Sequence, residues 1–448
     1  MIASDQALDR CRQLVDLARS KGADAADAVC RASTSESVSV RLGALEDVER
    51  SESEEIGLRV FVGRRSSSIH TSDFGAEGLA VLAERAVEMA RLAPEDPYSG
   101  LAPEGRLFTG ETPELDLLDA GEPSPQELRE KALETEDAAR AVAGVTNSNG
   151  GTAGYSRTVF GLATSHGFAR GYASGSHTLS ASVVAGEGAD KQTDYAYRTA
   201  RHRADLPSPA DIGREAGERA VRKVGPGSIG SGRMPVVLDP RVGSGVLGHL
   251  LSAMSGPSIA RKASFLLGHE EDQLFDSAIR VVEQPLRLRG LRSRTFDGEG
   301  LACSDRVLVD GGRMTGWLTN VASAAQLGLG LTGHAGRGGG GAPGIALSNV
   351  VLEPGQASVA ELIGDIEDGL YVTGLFGQGV NLVTGDYSRG ATGLRIRKGE
   401  LAEPVAEITI ASTLLEMFRA LVPANDLELL HGIDVPTLRI DNMAVAGE

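Results

Sequence analysis

The clearest patterns along the chain are helical ones. Leu8, Cys11, Val15 and Ala18 recur at three- and four-residue spacing, which predicts an amphipathic helix over residues 4–22. Similar apolar spacing and capping signals predict further helices over residues 76–92, 125–142, 209–223, 242–254 and 408–420.

Apolar runs of shorter period predict strands between these helices. Residues 37–42 alternate with period two, and residues 56–62 form an apolar run. The charged segment 46–55 lies between them and is expected to be a solvated strand edge. Glycine-punctuated strands follow over residues 145–202, with a turn predicted at 149–150.

The grouping of the strands decides the predicted fold class. In the C-terminal half, strands are predicted over residues 234–240, 306–309 and 393–397. Strands that come in runs, rather than alternating singly with helices, favour an α+β protein with antiparallel sheets. We therefore expect an N-terminal α/β domain over residues 1–224 and a C-terminal β-rich domain over residues 225–448, with the glycine-rich segment 225–232 as the linker.

Composition and charge narrow the classes of partner. The chain has 448 residues, 58 of them glycine, and a formal net charge of -17. A strongly negative field repels phosphate groups and anionic lipid, so we expect neither nucleic acid nor a membrane as a partner. No stretch approaches the ~18 apolar residues of a membrane helix. The charged N-terminus is unlike a signal peptide, and the three cysteines are widely separated, which together predict a cytoplasmic protein.

Few residues form a pattern that could carry chemistry. No two of the eight histidines lie at the close helical spacing of a zinc peptidase, and Cys303 has no activating base nearby in sequence. The residues alone therefore indicate no catalytic residue and no metal ligand. The glycine-rich stretch 328–344 is predicted to be a mobile loop. Within it, His334 and Arg337 are candidates for binding a peptide carboxylate or carbonyl.

A collinear set of motifs gives the chain a recognisable family resemblance. Each motif is short, but together they cover nearly the whole length and resemble the TldD/PmbA family, once described as modulators of DNA gyrase and now regarded as metallopeptidase subunits. The motifs are Gly57-Leu58-Arg59-Val60, Ser68 to Phe74, Asn147 to Gly150, Phe296 to Gly300, Phe376 to Asn381, Gly385 to Gly390, and Pro436 to Asp441.

The family has two branches, which differ in the sequence of one helix. One branch carries HExxxH on a helix, with a later cysteine as a further zinc ligand. At the corresponding place this chain has His249, followed by Leu250 where the general base would stand and Met254 where the second histidine would stand. No cysteine follows Cys303. The sequence therefore resembles the other branch, PmbA (also called TldE).

The resemblance implies both a fold and a function. It implies an N-terminal α/β domain, a C-terminal barrel-like domain, and a heterodimeric metallopeptidase that cleaves unfolded or leader peptides. Zinc is then expected on a TldD-type HExxxH partner and no cofactor on this chain, which we expect to be inactive alone. Two alternatives remain open: a non-enzymatic peptide-binding or regulatory protein, the gyrase-modulator role included, and an independent hydrolase with an unrecognised site.

Overall fold

A computed structural model describes residues 2–447, and its first half is built around one large sheet. In chain order the elements are α1 (Ser4–Ser20), β1 (Ala25–Arg41), β2 (Ala44–Val62), β3 (Arg65–Thr71), α2 (Ala76–Leu92), α3 (Pro125–Arg140), β4 (Val145–Thr164), β5 (Ala169–Ala185), β6 (Gln192–Ala200) and α4 (Pro209–Arg222). The sheet order is β3-β2-β1-β4-β5-β6, and every neighbouring pair is antiparallel.

The four N-terminal helices all pack on one face of this sheet. Ala28 and Cys30 of β1 lie in the core beneath α1 and α2, while Val38 and Val40 of the same strand lie in the core beneath α3 and α4. Side chains two residues apart on a strand point to the same face, so both helix pairs cover the same side. The opposite side of the sheet carries none of these four helices.

The second half contains shorter elements. They are β7 (Gly232–Leu238), α5 (Pro240–Ala253), α6 (Gly256–Ala260), β8 (Val281–Glu283), β9 (Arg306–Asp310), β10 (Arg313–Met314), α7 (Val321–Leu327), β11 (Ala335–Gly336), β12 (Gly344–Ile345), β13 (Val350–Leu352), α8 (Val359–Ile363), β14 (Asp368–Phe376), β15 (Asp386–Arg397), β16 (Glu400–Thr413), α9 (Leu414–Ala420), β17 (Leu421–Pro423), β18 (Ile433–Asp434) and β19 (Leu438–Ala446).

Five of these strands form a closed barrel. Their order is β16-β15-β14-β7-β19, and β19 also pairs with β16, where Thr409 lies opposite Ala446. A second sheet has the order β10-β9-β8-β13-β18. The antiparallel N-terminal sheet and the C-terminal barrel confirm the predicted α+β fold class. No helix within residues 2–447 is long and apolar enough to cross a membrane.

Two local predictions were wrong. The predicted helix over 408–420 begins only after Thr413, because Ile408 and Ile410 are buried on the inner face of β16 while Thr409 between them is exposed. The predicted turn at Asn149-Gly150 is a β-bulge inside β4: the register shifts there and Gly150 has φ +115°. Positive φ suits glycine in a bulge as well as in a turn, so the dipeptide alone could not separate the two.

The proposed linker packs on the C-terminal half, and the two halves touch along β6, where Asp194 pairs with Arg241, and through the glycine-rich loop. Ile229 is buried in the C-terminal core, and the Gly227 amide donates a hydrogen bond to the Pro404 carbonyl at 2.8 Å. The loop between β11 and β12 crosses to the N-terminal sheet. A side chain at Gly57 of β2 would place its Cβ 1.5 Å from the Gly339 carbonyl oxygen, so only glycine permits this approach.

We expect Gly57→Ala to lift the glycine-rich loop off the sheet. The added methyl group collides with backbone that cannot rotate away, and overpacking of this kind costs about 1–3 kcal/mol. Hydrogen exchange of residues 338–343 should become faster and the melting temperature should fall. Gly100→Ala is the matched control, because no atom lies within 4 Å of a Cβ placed there. Unchanged exchange in the Gly57 variant would contradict the contact.

Candidate functional site

Helix α5 occupies the position where the family resemblance places a zinc-binding helix. Asp239 caps it by accepting a hydrogen bond from the Arg241 amide, and Pro240 stands at its first position, both common starting signals. His249 lies half-buried, with its ring 6.1 Å from that of Tyr387 and nearly perpendicular to it. Burial, helped by the charge of Arg389, lowers the pKa of His249, so the imidazole is neutral at physiological pH.

The residues that follow His249 do not fit a metal. Leu250 and Met254 are both fully buried in the C-terminal core, and these two positions offer neither a metal ligand beside His249 nor a general base. Across residues 2–447, no group of three or more His, Cys, Asp or Glu side chains is arranged to hold a metal ion. Zinc needs such a set, ordinarily three protein ligands and an open position in a catalytic site.

Two of the family motifs meet beside this helix. Ser388 donates its backbone amide to the Gly379 carbonyl at 2.7 Å, and Gly379 has no room for a side chain there, since a Cβ would lie 1.9 Å from the Ser388 oxygen. Arg389 donates to the Phe376 carbonyl at 3.3 Å. These contacts hold the loop 377–385 against the start of β15, next to Tyr387 and His249.

His334, a predicted substrate-binding candidate, is buried and paired inside the chain. Its Nε2 lies 2.5 Å from Glu283 Oε2, and its Nδ1 lies 2.8 Å from the Thr332 hydroxyl. Glu283 also accepts hydrogen bonds from the backbone and hydroxyl of Ser348. Burial alone would raise the pKa of Glu283, but His334 and Ser348 outweigh it and lower that pKa. His334 therefore reaches a peptide only if this pair opens.

Arg337, the second candidate, bridges the two halves of the chain. Its side chain is 1% exposed, and its Nη2 lies 2.7 Å from Oδ1 of Asp27 on β1. Arg59 on β2 donates from Nε to the other oxygen of Asp27 at 2.9 Å. Burial alone would raise the pKa of Asp27, but the two guanidinium groups outweigh it and hold the pKa below its ordinary value. Asp27 is thus a buried anion between two cations.

Glu299 completes this buried cluster, and its pKa is shifted in the opposite direction to that of Asp27. Its Oε1 lies 3.7 Å from Arg59 Nη2, and its Oε2 accepts from the Val321 amide at 2.8 Å. Burial raises the pKa of Glu299 to about 7, against the opposing pull of Arg59. The neighbouring Asp297 accepts from the backbone amides of Glu299, Leu301 and Ala335, which ties the motif at 296–300 to β11 within the glycine-rich stretch.

The glycine-rich loop is anchored at both ends. β11 pairs with β12, and the Asn320 side chain donates to the Pro343 carbonyl at 2.7 Å. Gly340 lies against the ring of His70 on β3. The loop is thus docked between two contacts, and its predicted mobility remains a prediction. Cys303 is a packed thiol, as expected, and burial raises its pKa to about 12, which keeps it protonated.

Sequence reasoning did not select Asp27, Arg59, Glu283 or Glu299. Three of the four lie in strands, the fourth lies in a motif used only for the resemblance, and their partners are far away in sequence. The available signal was a charged residue inside an apolar run, as Arg59 is between Leu58 and Val60. Such a residue must find a partner when buried.

We expect Glu299→Gln to change the pH dependence of stability. A carboxyl whose folded pKa is raised adds stability that is complete below its ordinary pKa of 4.5 and is lost as pH rises toward 7. The neutral amide keeps an acceptor for the Val321 amide and avoids the buried charge. The melting temperature of the variant relative to wild type should therefore rise between pH 5 and pH 8, by the equivalent of up to about 3 kcal/mol.

The control for this measurement is an exposed carboxylate. Glu114 is exposed, so Glu114→Gln should follow the wild-type pH profile throughout. If the melting temperatures of Glu299→Gln and wild type differ by the same amount at every pH in this range, Glu299 does not titrate near neutrality.

Comparisons with known proteins cover nearly the whole chain. Three sequence profiles match in order: PmbA/TldA metallopeptidase domain 1 over residues 26–90, the central domain over 118–224 and the C-terminal domain over 231–447. The metalloprotease PmbA of Escherichia coli O157:H7 is 35% identical over 438 residues, which covers 97% of this chain and 94% of that one. A PmbA homologue of Haemophilus influenzae is 34% identical, with the same coverage.

Solved structures match over the full length. A Bacteroides thetaiotaomicron protein, described as a candidate modulator of DNA gyrase, has a TM-score of 0.91 and 26% identity and covers 100% of both chains. TldE from Thermococcus kodakarensis has a TM-score of 0.86 at 21% identity, covering 98% of this chain and all of that one, which is a likeness of fold. Given the three profiles and the sequence identity along almost its entire length, this chain belongs to the PmbA/TldD family of metallopeptidases.

Proposed function

We propose that this chain is the metal-lacking subunit of a heterodimeric zinc metallopeptidase that cleaves unfolded or leader peptides. The zinc and the general base then belong to a TldD-type partner that carries HExxxH. The observation behind this proposal is the replacement of the general base and second ligand by Leu250 and Met254, both fully buried. A helix that packs these positions into a core is built for stability rather than for metal chemistry.

The charge and the sheet edges support a polypeptide as the substrate. The net charge of -17 disfavours nucleic acid, and an extended peptide can pair with a free strand edge through its backbone alone. The barrel strands are paired on both sides, whereas β6 and β3 are edge strands of the N-terminal sheet. The outer half of β2, residues 44–55, is also unpaired on one side because β3 covers only residues 56–62.

The same free edges favour the second candidate function, a non-enzymatic peptide-binding or regulatory protein. In that role the chain would hold an extended peptide without any zinc-bearing partner. An independent hydrolase is disfavoured, since Cys303 is a buried, protonated thiol and His249 has no carboxylate or second histidine facing it on its helix. The presence or absence of the partner therefore separates the candidates.

We expect peptide hydrolysis to require two chains. The isolated protein, never exposed to a chelator, should contain far less than one zinc per chain by elemental analysis. Co-expressed with an HExxxH relative from its own genome, it should co-purify, and the complex should carry zinc and cleave an unfolded peptide until a chelator is added. Each chain alone is the control. Chelator-sensitive cleavage by this chain alone would contradict the proposal, and a failure to co-purify would favour the peptide-binding alternative.

We expect that writing HExxxH back into α5 does not restore catalysis. Leu250→Glu with Met254→His places a carboxylate in the core at a cost of several kcal/mol. The two histidines would lie ~140° apart on a regular helix, and no third ligand is near. The variant should be less stable, bind zinc weakly and show no turnover. Leu250→Met with Met254→Leu, which keeps both positions apolar, should melt close to wild type.

Tight stoichiometric zinc and measurable turnover in the double variant would reverse this interpretation. They would identify α5 as a recently silenced catalytic helix.

A further inference from the structure

The helix-free side of the N-terminal sheet is lined by hydroxyl groups. Residues directly opposite each other on neighbouring strands share a face. The register therefore defines four rows across the sheet, which we call the hydroxyl face: Ser53, Ser33, Thr158 and Ser174; Ser51, Ser35, Ser156 and Ser176; Ser37, Gly154, Thr178 and Thr199; and Ser39, Thr152, Ser180 and Tyr197.

Many of these hydroxyls are bonded to each other across the strands. Ser33 pairs with Ser53 at 2.8 Å and Ser156 with Ser176 at 2.8 Å; Ser39–Thr152 and Thr178–Thr199 pairs are 3.0 Å apart. A hydroxyl that already has a partner in the sheet loses little when water is removed from above it. The hydroxyl face can therefore be covered by another surface at low desolvation cost.

The hydroxyl face is also unusually free of charge for a protein of this composition. Its four rows contain no Lys, Arg, Asp or Glu. The nearest charged neighbours on the same side are Asp47 and Glu49 on β2, opposite Ser39 and Ser37, and the pair Arg31 and Glu55, one row beyond Ser33 and Ser53. Serine is not among the residues enriched in strands, and an open sheet face usually carries charged or long polar side chains for solvation. The repeated small hydroxyls therefore indicate a surface shaped for contact.

The same side of the sheet is already an interface at one end. Phe296 from the C-terminal half packs against Phe160 and Tyr172, which continue the rows of the hydroxyl face toward Asp27 and its partner Arg337. A second contact lies at the β6 end, where the Tyr197 hydroxyl is 3.2 Å from Nδ1 of His431 in the C-terminal half. Between these two contacts the face is open: Ser35 is exposed and most of its neighbours are half-buried. Intramolecular contacts thus border the surface on two sides and leave its middle, on β2, β1, β4 and β5, uncovered within residues 2–447.

The open area is large enough for a specific protein interface. The four strands β2, β1, β4 and β5 at ~4.8 Å spacing, with about eight residues at ~3.3 Å each, give about 500 Å². A standard protein interface buries about 800 Å² on each partner. The hydroxyl face therefore supplies most of one side of such an interface, and Asp47 and Glu49 supply a polar rim.

We propose that the hydroxyl face is the docking surface for the zinc-bearing chain, which presents a flat, weakly charged surface with basic residues opposite Asp47 and Glu49. This assignment rests on the heterodimer proposed above. A second copy of this chain is a poorer occupant, because it carries the same charge of -17 and the same acidic rim. A peptide substrate is also a poorer occupant, because an extended peptide pairs with strand edges rather than with a face whose backbone groups are already paired.

Large cations on the hydroxyl face test this assignment. Ser35→Arg and Ser176→Arg each place a long charged side chain in the middle rows, so affinity for the co-expressed HExxxH chain should fall at least about tenfold. Ser20→Arg, the same change at the exposed end of α1, is the control and should bind as wild type. Melting temperatures of all three variants report whether each is folded.

Cysteine labelling provides a second readout that needs no loss of binding. The three native cysteines are buried, so a thiol introduced by Ser35→Cys is the accessible one in the folded chain. Its alkylation should slow in the complex, while that of Ser20→Cys should not. If wild type forms the complex, Ser35→Arg binds equally well and Ser35→Cys is alkylated as fast as in the free chain, the assignment of the hydroxyl face is wrong, while the heterodimer itself stands. Wild type that forms no complex would overturn the proposed heterodimer instead.

Light scattering of the isolated chain tests whether a second copy of this chain occupies the hydroxyl face. A homodimer that Ser35→Arg and Ser176→Arg convert to a monomer, with Ser20→Arg unaffected, would give the hydroxyl face to a second copy and overturn the assignment to a zinc-bearing chain. A monomer in every case is the expected result.

Discussion

The docking of the glycine-rich loop onto the N-terminal sheet centres on one buried carboxylate. Asp27 on β1 is held between Arg59 of the neighbouring strand and Arg337 of the loop, so a buried anion joins the sheet to this part of the C-terminal half. Removing one member of a buried ion pair leaves an uncompensated charge and typically costs about 3–5 kcal/mol. Glu299 beside Arg59 and the close approach of Gly339 to Gly57 belong to the same contact region.

The N-terminal sheet uses its two sides differently, and this division links fold to function. One side buries Ala28, Cys30, Val38 and Val40 beneath four helices and supplies stability. The other side is covered at one end by Phe296 and the ion cluster, is bordered at β6 by the contact of Tyr197 with His431, and is open between them. The heterodimer and the docking surface proposed above rest on two features: the buried positions Leu250 and Met254 on α5, and the uncharged hydroxyl rows on this side of the sheet.

Local signals explain what the sequence could predict. The capping box at Ser124 and Glu127 and the apolar spacing from Leu79 to Ala90 identified α3 and α2, because both act within a few residues. Ile408 and Thr409 were misassigned because a short apolar run suits either period until the barrel fixes which side is buried. The pairing of Asp27 with Arg337 depends on the tertiary fold alone, and the exposed Ser and Thr positions acquired meaning only when the register aligned them in rows.

The closure of the barrel has a consequence for how the protein is made. β7, the first barrel strand in the chain, pairs with β19, the last, and β19 also pairs with β16 to close the ring. During synthesis the N-terminal sheet can form as soon as β6 and α4 emerge, whereas the barrel stays open until Ala446 has left the ribosome. Until then β7 and β16, although paired with β14 and β15, each keep one edge without a partner, and an unpaired strand edge is a site of misassembly.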